Sequence, residues 1–258
     1  MTRCMTGAGR ELELHEALAA LLEYRIIFFG ERHDSQTDHE GELALLSGLA
    51  GLDPNIALAL EMFERDVQGD LDAYLLGTIP ESVFLDRARP WPNYREAYRP
   101  LVEFAKERGL PVIAANAPRT MAAAAARDGR IFAEAAGVER AGFPRAVHFD
   151  SREYYDRFAA EIRKMPHAAP MRGMDVEGLY RAQVLKDAVM AASLEPFLDR
   201  RILFCCGHFH SDYRLGVPYQ LRKNHPSLKV AVVTGFAVWR SQPAKDRSRL
   251  ADWIWTGE

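Results

Sequence analysis

The chain has 258 residues, of which 48% are hydrophobic and 27% are charged, so it can bury the core of one α/β domain or of two small ones. This composition excludes a disordered, collagen-like or coiled-coil protein as a description of the whole chain. The formal net charge of −3 gives no electrostatic footprint for nucleic acid, so we expect a small-molecule ligand and no nucleic-acid partner.

Short apolar runs alternate with amphipathic segments along the chain. Each run is continuous rather than alternating, which is typical of strands that are buried on both faces. The predicted strands are Arg25–Phe29, Asn55–Leu60, Pro111–Ala115, Arg201–Cys206 and Lys229–Thr234, with Ala146–Phe149 as a weaker sixth. The pattern predicts an α/β fold in which a mostly parallel central sheet carries helices on both faces, giving three layers.

The segments between the strands have helical spacing. Helices are predicted around Leu14–Leu22, around Leu43–Leu49, between Pro100 and Gly109, across Met121–Ala126, from an Asp150 capping box to about Lys164, and from Asp175 to about Phe197. The last of these helices carries a row of side chains on one face: Tyr180, Gln183, Asp187 and Met190. Periodicity alone favours solvent exposure for this row.

Two segments, 76–98 and 165–174, are predicted to pass over the rim of the sheet. Residues 242–258 read as a polar tail that docks through Trp253–Trp255, so we expect one domain over residues 1–258. The three cysteines are too few for a disulfide framework, which favours a reducing compartment. No apolar run is long enough for a signal peptide or a membrane span, so we expect a cytoplasmic protein.

Polar groups follow four of the five main predicted strands. They are Gly30, Glu31 and His33 after the first strand, Glu61 at the end of the second, Asn116 at the end of the third, and Gly207 to His210 after the fourth. Each of them singly could be a solvated turn residue. Because open parallel sheets bind ligands beyond the carboxyl ends of their strands, we expect the acidic and imidazole groups together to line one pocket.

Imidazole and carboxylate are the ligand types of catalytic zinc and of iron, copper or nickel sites. The metalloprotease motif HExxH, the phosphate-binding P-loop, the dinucleotide fingerprint and the serine nucleophile elbow are all absent from the sequence. Cys205 and Cys206 are adjacent in a strand and point to opposite faces, so they are predicted to be core residues rather than joint metal ligands.

Five stretches together resemble the ChaN-like family of the haem-binding uptake, Tiki superfamily. They are GERHDSQTDH at 30–39, LALEMFERDVQGDLDAYLLG at 58–77, the Trp91–Tyr98 patch with the segment that follows it to Arg119, YRAQVLKDAVMA at 180–191, and CGHFHSDYRLGVP at 206–218. They occur in order and span most of the chain. Distant relatives of this family include the erythromycin esterases.

The resemblance implies an α/β fold with a site built on Gly30, Glu31, His33, Glu61 and His210. The Gly-x-x-His pattern of the family falls on Gly207 and His210, so His210 rather than His208 carries over. The resemblance also implies haem or a divalent metal ion as the cofactor, and a homodimer formed around paired haems. His33, His210 and Tyr213 are the expected haem-binding residues, with Tyr154 and Tyr180 as competing tyrosine ligands.

A metal-dependent hydrolase is the alternative. In that case Glu31 or Glu61 would orient or deprotonate a water molecule, while His33, Glu61 and His210 would hold the metal ion. An inactive scaffold that has kept the fold is a third alternative.

Overall fold

The computed structural model describes residues 3–128, 144–164 and 175–257. Within them, one sheet contains eight strands: β1 Arg3–Thr6, β2 Glu11–Glu13, β3 Ile26–Glu31, β4 Ile56–Glu64, β5 Val112–Asn116, β6 Arg201–Gly207, β7 Val230–Gly235 and β8 Trp253–Gly257. The strand order is β2-β1-β8-β7-β3-β6-β4-β5. The six strands from β8 to β5 are parallel, and β1 pairs antiparallel with both β2 and β8.

Twelve α-helices lie in the described residues: α1 Leu14–Leu21, α2 Gln36–Leu52, α3 Gln68–Leu75, α4 Glu81–Ala88, α5 Tyr94–Ala97, α6 Arg99–Arg108, α7 Arg119–Asp128, α8 Arg152–Lys164, α9 Val176–Leu194, α10 Val217–Asn224, α11 Phe236–Ser241 and α12 Ala244–Leu250. Short 3₁₀ turns cover Arg65–Val67, Glu195–Phe197, His208–His210 and Asp212–Arg214. None of these helices is long and apolar enough to cross a membrane.

The sheet is covered on both faces because its central strands are apolar at every position. Ile27 and Phe29 of β3 pack with α1 and α2 on one face, and Ile26 and Phe28 pack with α9 and α10 on the other. All four side chains are fully buried. The predicted α/β fold with a mostly parallel, double-covered sheet is therefore confirmed.

The sheet extends further than the sequence predicts. Strands β1, β2 and β8 were not predicted, and Ala146–Phe149, the predicted sixth strand, forms no strand. The segment 242–257 holds α12 and strand β8, which lies between β1 and β7. Trp253, Ile254 and Trp255 of β8 are buried there.

Two helical details also differ from expectation. The Ser151 hydroxyl, not Asp150, accepts from a backbone N–H at the start of α8, while Asp150 accepts instead from Tyr219 and Lys223. The row on α9 faces inward rather than to solvent, with Asp187 and Met190 fully buried. The predicted excursion at 165–174 lies outside the described residues.

Candidate functional site

Three adjacent parallel strands bring the predicted acidic and imidazole groups together. Strand β6 lies between β3 and β4, so the loops after β3 and β6 and the end of β4 meet at one edge of the sheet. Glu31 ends β3 and His33 follows it, Glu61 lies in β4, and His210 lies in the 3₁₀ turn after β6. Adjacent parallel strands place equivalent positions side by side, which is why strand-end placement predicted this meeting.

Asn116 lies apart from this group. It ends the edge strand β5, where it is in register with Glu64 rather than with Glu61. Its side-chain oxygen accepts from the backbone N–H of Ala117. A bulge between Leu60 and Glu64 separates the two stretches of β4 that pair with β5. Asn116 therefore ends its strand, as expected, without reaching His33 or His210 through any described contact.

His33 is the open imidazole of the site. Its Nδ1 lies 2.6 Å from Oε1 of Glu31, and its side chain is 46% exposed while that of Glu31 is fully buried. Trp91 packs edge-on against the ring, with the ring centroids 4.8 Å apart. Burial lowers the pKa of His33, but the hydrogen bond to Glu31 and the charge of Glu61 outweigh that effect and raise it.

Glu31 is a positioning group rather than an exposed acid or base. Its Oε1 also accepts a hydrogen bond of 2.8 Å from the Tyr98 hydroxyl. Burial raises the pKa of Glu31, but the hydrogen bonds with His33 and His39 outweigh burial and lower it to about 2. Glu31 is thus ionised at neutral pH and holds the His33 ring in one orientation.

His210 is the locked imidazole of the site. Its Nδ1 lies 2.6 Å from Oδ1 of Asp187 on α9, and its Nε2 lies 3.3 Å from Oε1 of Glu61. The amide of Gln183 lies 3.2 Å from the same Nδ1. Only 8% of the His210 side chain is exposed. Both ring nitrogens are therefore engaged by carboxylates from two different elements.

The charges around His210 keep the ring protonated. Burial lowers the pKa of His210, but the charges of Glu61 and Asp187 raise it to about 10. Burial raises the pKa of Glu61, but the charge and hydrogen bond of His210 lower it to about 2. Burial raises the pKa of Asp187, although the charge and hydrogen bond of His210 oppose that effect. The floor of the site therefore carries a buried chain in which protonated His210 lies between the side chains of Glu61 and Asp187.

Two glycines allow the strands and loops to come this close. A Cβ at Gly207 would lie 2.8 Å from Cε1 of His33, and a Cβ at Gly30 would lie 2.6 Å from the Ser211 hydroxyl. The Gly207 N–H also donates to Oε2 of Glu61 at 2.8 Å. Glycine at these positions is therefore required by close packing rather than by backbone conformation.

An open cleft of ≈ 730 Å³ lies above these groups. Its wall combines apolar and cationic side chains with the imidazoles, and its lining includes His33, His210, Phe158, Ile162, Leu179, Phe209, Arg32 and Lys186. A cleft of this size is within the range of small-molecule and cofactor sites. The apolar residues come from α8, α9 and the turn after β6.

Tyr213 lines a different cleft. Its hydroxyl donates to Oε1 of Gln242 at 3.0 Å, and the Arg157 guanidinium lies 3.4 Å from its ring centroid. Tyr213 adopts a left-handed backbone conformation with φ 58°, which is unusual for a residue with a Cβ. The neighbouring cleft of ≈ 240 Å³ shares His208 and Phe209 with the first one. The described contacts do not bring Tyr213 to His33.

The competing tyrosines are also engaged elsewhere. The Tyr154 hydroxyl donates to Oδ2 of Asp187 at 2.7 Å, and the Tyr180 hydroxyl donates to the carbonyl of Ser151 at 3.3 Å. Burial and the charge of Asp187 raise the pKa of Tyr154 well above its usual value. Tyr154 is therefore a neutral donor that supports Asp187.

Three residues that contact the predicted site residues were not themselves predicted to belong to the site. Asp187 belongs to the helical row on α9 that was expected to face solvent. The sequence shows that these residues share one face of the helix, but it does not show which way that face points. His39 and Glu42 lie on α2, and Nδ1 of His39 contacts the carboxylates of both Glu31 and Glu42. His39 was visible as part of the motif after β3, but no sequence signal distinguished Glu42 from a solvated helix residue.

Comparison with known proteins decides the family. The profile described as haem-binding uptake, Tiki superfamily, ChaN matches residues 17–221 of this chain. The chain belongs to this family. The match runs from within α1 to within α10 and includes Glu31, His33, Glu61, Asp187 and His210, so the resemblance to the family is confirmed.

Solved structures show the same fold. ChaN of Campylobacter jejuni, in a structure described as cofacial haem binding, matches with a TM-score of 0.74 and 16% identity over 100% of this ChaN-like chain and 97% of that chain. A mutant of the erythromycin esterase EreC in its open conformation matches with a TM-score of 0.52 and 13% identity over 91% and 77% of the two chains. Identities this low establish likeness of fold alone.

A curated relative is the chloroplastic protein RETICULATA-RELATED 5 of Arabidopsis thaliana. It is 30% identical over 105 residues, which are 38% of this ChaN-like chain and 14% of that protein. The chain thus spans a small part of that relative's length.

Proposed function

We propose that the protein binds haem in the cleft above His33. The observation that carries this proposal is the state of the His33 ring: it is half-exposed in a cleft with apolar walls, and a buried carboxylate holds its Nδ1. Metal-ligating histidines almost always have such a partner on the second ring nitrogen, which orients the ring and raises its basicity. His33 is therefore our preferred iron ligand among His33, His210 and Tyr213.

The donor set and the cleft lining fit haem. Phe158, Ile162, Leu179 and Phe209 offer apolar surface for a macrocycle, and Arg32 and Lys186 offer cations for its carboxylates. Histidine is a common proximal ligand of haem iron. Bound haem would supply an iron atom with redox and ligand-binding chemistry. The chain itself would orient His33 through Glu31 and exclude water with the apolar wall.

Haem titration tests this proposal. Ferric haem added to the apo-protein is expected to give a saturable Soret shift, and His33→Ala is expected to weaken the affinity by about tenfold or more. His208→Ala is the matched control, because His208 lines the same cleft with its Nδ1 held by Asp212. A loss confined to Tyr213→Phe, with His33→Ala unchanged, would move the site to the neighbouring cleft and contradict the proposal.

Hydrolysis is a second candidate, favoured by the buried chain from Asp187 through His210 to Glu61. A haem ligand does not require an imidazolium held between two buried carboxylates, whereas such fixed charges can stabilise charge that develops in a transition state. In this reaction His33, oriented by Glu31, would be the general base for an attacking water molecule. Glu31 itself is fully buried and would act only through His33.

Activity measurements separate the two candidates. A hydrolase would release nitrophenol from short nitrophenyl esters, and this activity would fall by about 10²-fold or more in His33→Ala while Asp34→Ala keeps it. Asp34 is the control because it lies next to His33 and its side chain is 80% exposed. Esterase activity that is the same in both variants would count against the catalytic assignment.

A further inference from the structure

A second cluster of ligand-type side chains lies behind Glu31, outside the haem cleft. Nδ1 of His39 lies 3.0 Å from Oε2 of Glu31 and 3.3 Å from Oε2 of Glu42. Among the described residues, these three form the group of His, Cys, Asp or Glu whose ligand atoms all lie within 4.8 Å of one another. The predicted metal set of His33, Glu61 and His210 does not form so compact a group.

The His39 ring is already oriented as a metal ligand. Its Nε2 lies 3.2 Å from the backbone carbonyl oxygen of His33, which can only accept, so Nε2 carries the hydrogen. In the neutral ring the lone pair of Nδ1 then points towards the two carboxylates. A backbone carbonyl on the second nitrogen is a usual way in which proteins fix the tautomer of a metal-binding histidine.

Two oxygen atoms of the cluster make no hydrogen bond within the usual geometric limits, although Oε2 of Glu31 lies 3.0 Å from Nδ1 of His39. They are Oε2 of Glu31 and Oε1 of Glu42, and both side chains are fully buried. Leaving such a group unsatisfied costs about 1–3 kcal/mol, and more if it is charged. Three acceptor atoms that face one another in a buried space need either a proton or a metal ion among them.

We propose that Glu31, His39 and Glu42 bind a divalent transition-metal ion. One imidazole and two carboxylates suit zinc, manganese or ferrous iron. Bonds of about 2.0–2.2 Å in tetrahedral geometry place ligand atoms about 3.4 Å apart. The two nitrogen–oxygen separations in the cluster, 3.0 and 3.3 Å, are close to that value.

The structure also offers a route by which a cation reaches this site. A cleft of ≈ 440 Å³ opens beside His39, and its lining includes the acidic side chains of Asp34, Glu40 and Glu96. His39 is 10% exposed, and it is the ligand of the three that lines this cleft. A cleft lined by one sign of charge raises the local concentration of ions of the opposite sign.

The proposed ion would share Glu31 with the haem cleft. Oε1 of Glu31 faces His33 and Tyr98, whereas Oε2 faces the cluster. The metal would therefore be separated from the cleft by one carboxylate and would position His33 only through Glu31. This proposal does not depend on haem binding. Of its three ligands Glu31 alone lines the haem cleft, and its Oε1 atom there is already bound by His33 and Tyr98.

Metal content and calorimetry test the proposal on the full chain, produced without a metal-affinity step. We expect Zn²⁺ or Mn²⁺ to bind the chelator-treated protein with a stoichiometry of one, and Co²⁺ to give visible absorption bands. Glu42→Gln, which keeps the shape of the side chain, is expected to weaken this binding by about 100-fold or more. Glu23→Gln is the control, because its carboxylate is 77% exposed and lines none of the clefts described above, so it should change the affinity by less than about threefold.

The wild-type result alone already decides between a metal ion and protons. If none of these ions binds stoichiometrically and chelators leave the melting temperature unchanged, protons satisfy the cluster and the proposal is wrong. Stoichiometric binding that survives both Glu42→Gln and His39→Gln but disappears in Glu61→Gln would locate the metal at the cleft floor, and it would also overturn the proposal. If the wild-type protein binds the metal ion but not haem, the proposed haem-binding function is wrong and the metal-site proposal stands.

Discussion

Two Gly-x-x-His stretches, Gly30–His33 and Gly207–His210, lie at the carboxyl ends of two adjacent parallel strands, yet their histidines differ in exposure and in contacts. His33 is 46% exposed with one ring nitrogen held, whereas His210 is 8% exposed with both nitrogens held. The difference in exposure comes from what packs against each histidine from outside the sheet. Helix α9 brings Asp187 against His210, while the cleft lies open over His33. A Gly-x-x-His turn therefore sets where an imidazole lies, and its neighbours set what the imidazole can do.

The largest expected effect is on stability, and it separates the two histidines. His210→Ala would leave Glu61 and Asp187 buried without their shared cation, so we expect the free energy of unfolding to fall by about 3–5 kcal/mol. His33→Ala should cost less than about 1 kcal/mol, since its ring is half-exposed and Glu31 keeps Tyr98 as a partner. Urea denaturation followed by circular dichroism measures both. Equal losses would mean that the two turns are energetically equivalent.

The pH dependence of stability should show the contribution of the ion pairs between His210 and its two carboxylate partners. His210 has a pKa of about 10 in the folded protein against 6.5 for an ordinary histidine, so its contribution is complete below about pH 6.5 and is lost as the pH rises towards 10. Glu61, with a pKa of about 2 against 4.5, contributes fully above about pH 4.5 and loses its contribution below that.

Melting temperatures at pH 6.5, 8 and 9.5 measure this effect. We expect a decrease equivalent to a few kcal/mol in the wild-type protein and a smaller decrease in His210→Gln, whose side chain does not titrate. The variant corrects for the tyrosines and lysines that titrate over the same range. Parallel pH profiles for the two proteins would show that His210 is not protonated in the folded state.

A smaller effect on stability is expected from the hydrogen bond that Tyr154 donates to Asp187. Tyr154→Phe removes the buried hydroxyl that donates to Oδ2 of Asp187, which should lower the free energy of unfolding by about 1–2 kcal/mol. Tyr213→Phe is the matched control, because its half-buried hydroxyl donates to Gln242 rather than to a buried carboxylate, and its loss should cost less than about 0.5 kcal/mol. A larger decrease in the free energy of unfolding for Tyr213→Phe than for Tyr154→Phe would show that the Tyr213 contact contributes more to stability than the support of Asp187 by Tyr154.

The smallest effect should concern the open histidine. Trp91 packs edge-on against His33, and such aromatic pairs are worth about 0.5–1.5 kcal/mol. Trp91→Leu is therefore expected to weaken haem affinity by about two- to twelvefold while leaving the fold intact. The titration used for His33→Ala measures it. Unchanged affinity would mean that Glu31 alone holds the ring.

The sequence by itself determined the central sheet and most helices, because their patterns are local. Runs that are apolar at every position, such as Ile26–Phe29, are typical of doubly covered strands, and the spacing of Leu101, Phe104 and Ala105 before Gly109 marks α6. The order of the strands was not predicted, because it depends on which strands pair over long distances in the chain. The short strands β1 and β2 have only four and three residues, too few for a periodic signal.

The site required tertiary structure wherever a partner came from another element. The sequence placed Glu31, His33, Glu61 and His210 at strand ends, and adjacency of parallel strands then brought them together. Only the packing of α9 against the sheet turned Asp187 towards His210, and only the left-handed backbone at Tyr213 took its ring to a neighbouring cleft. Spacing along a helix fixes which residues share a face, but the direction of that face depends on long-range packing that no local pattern encodes.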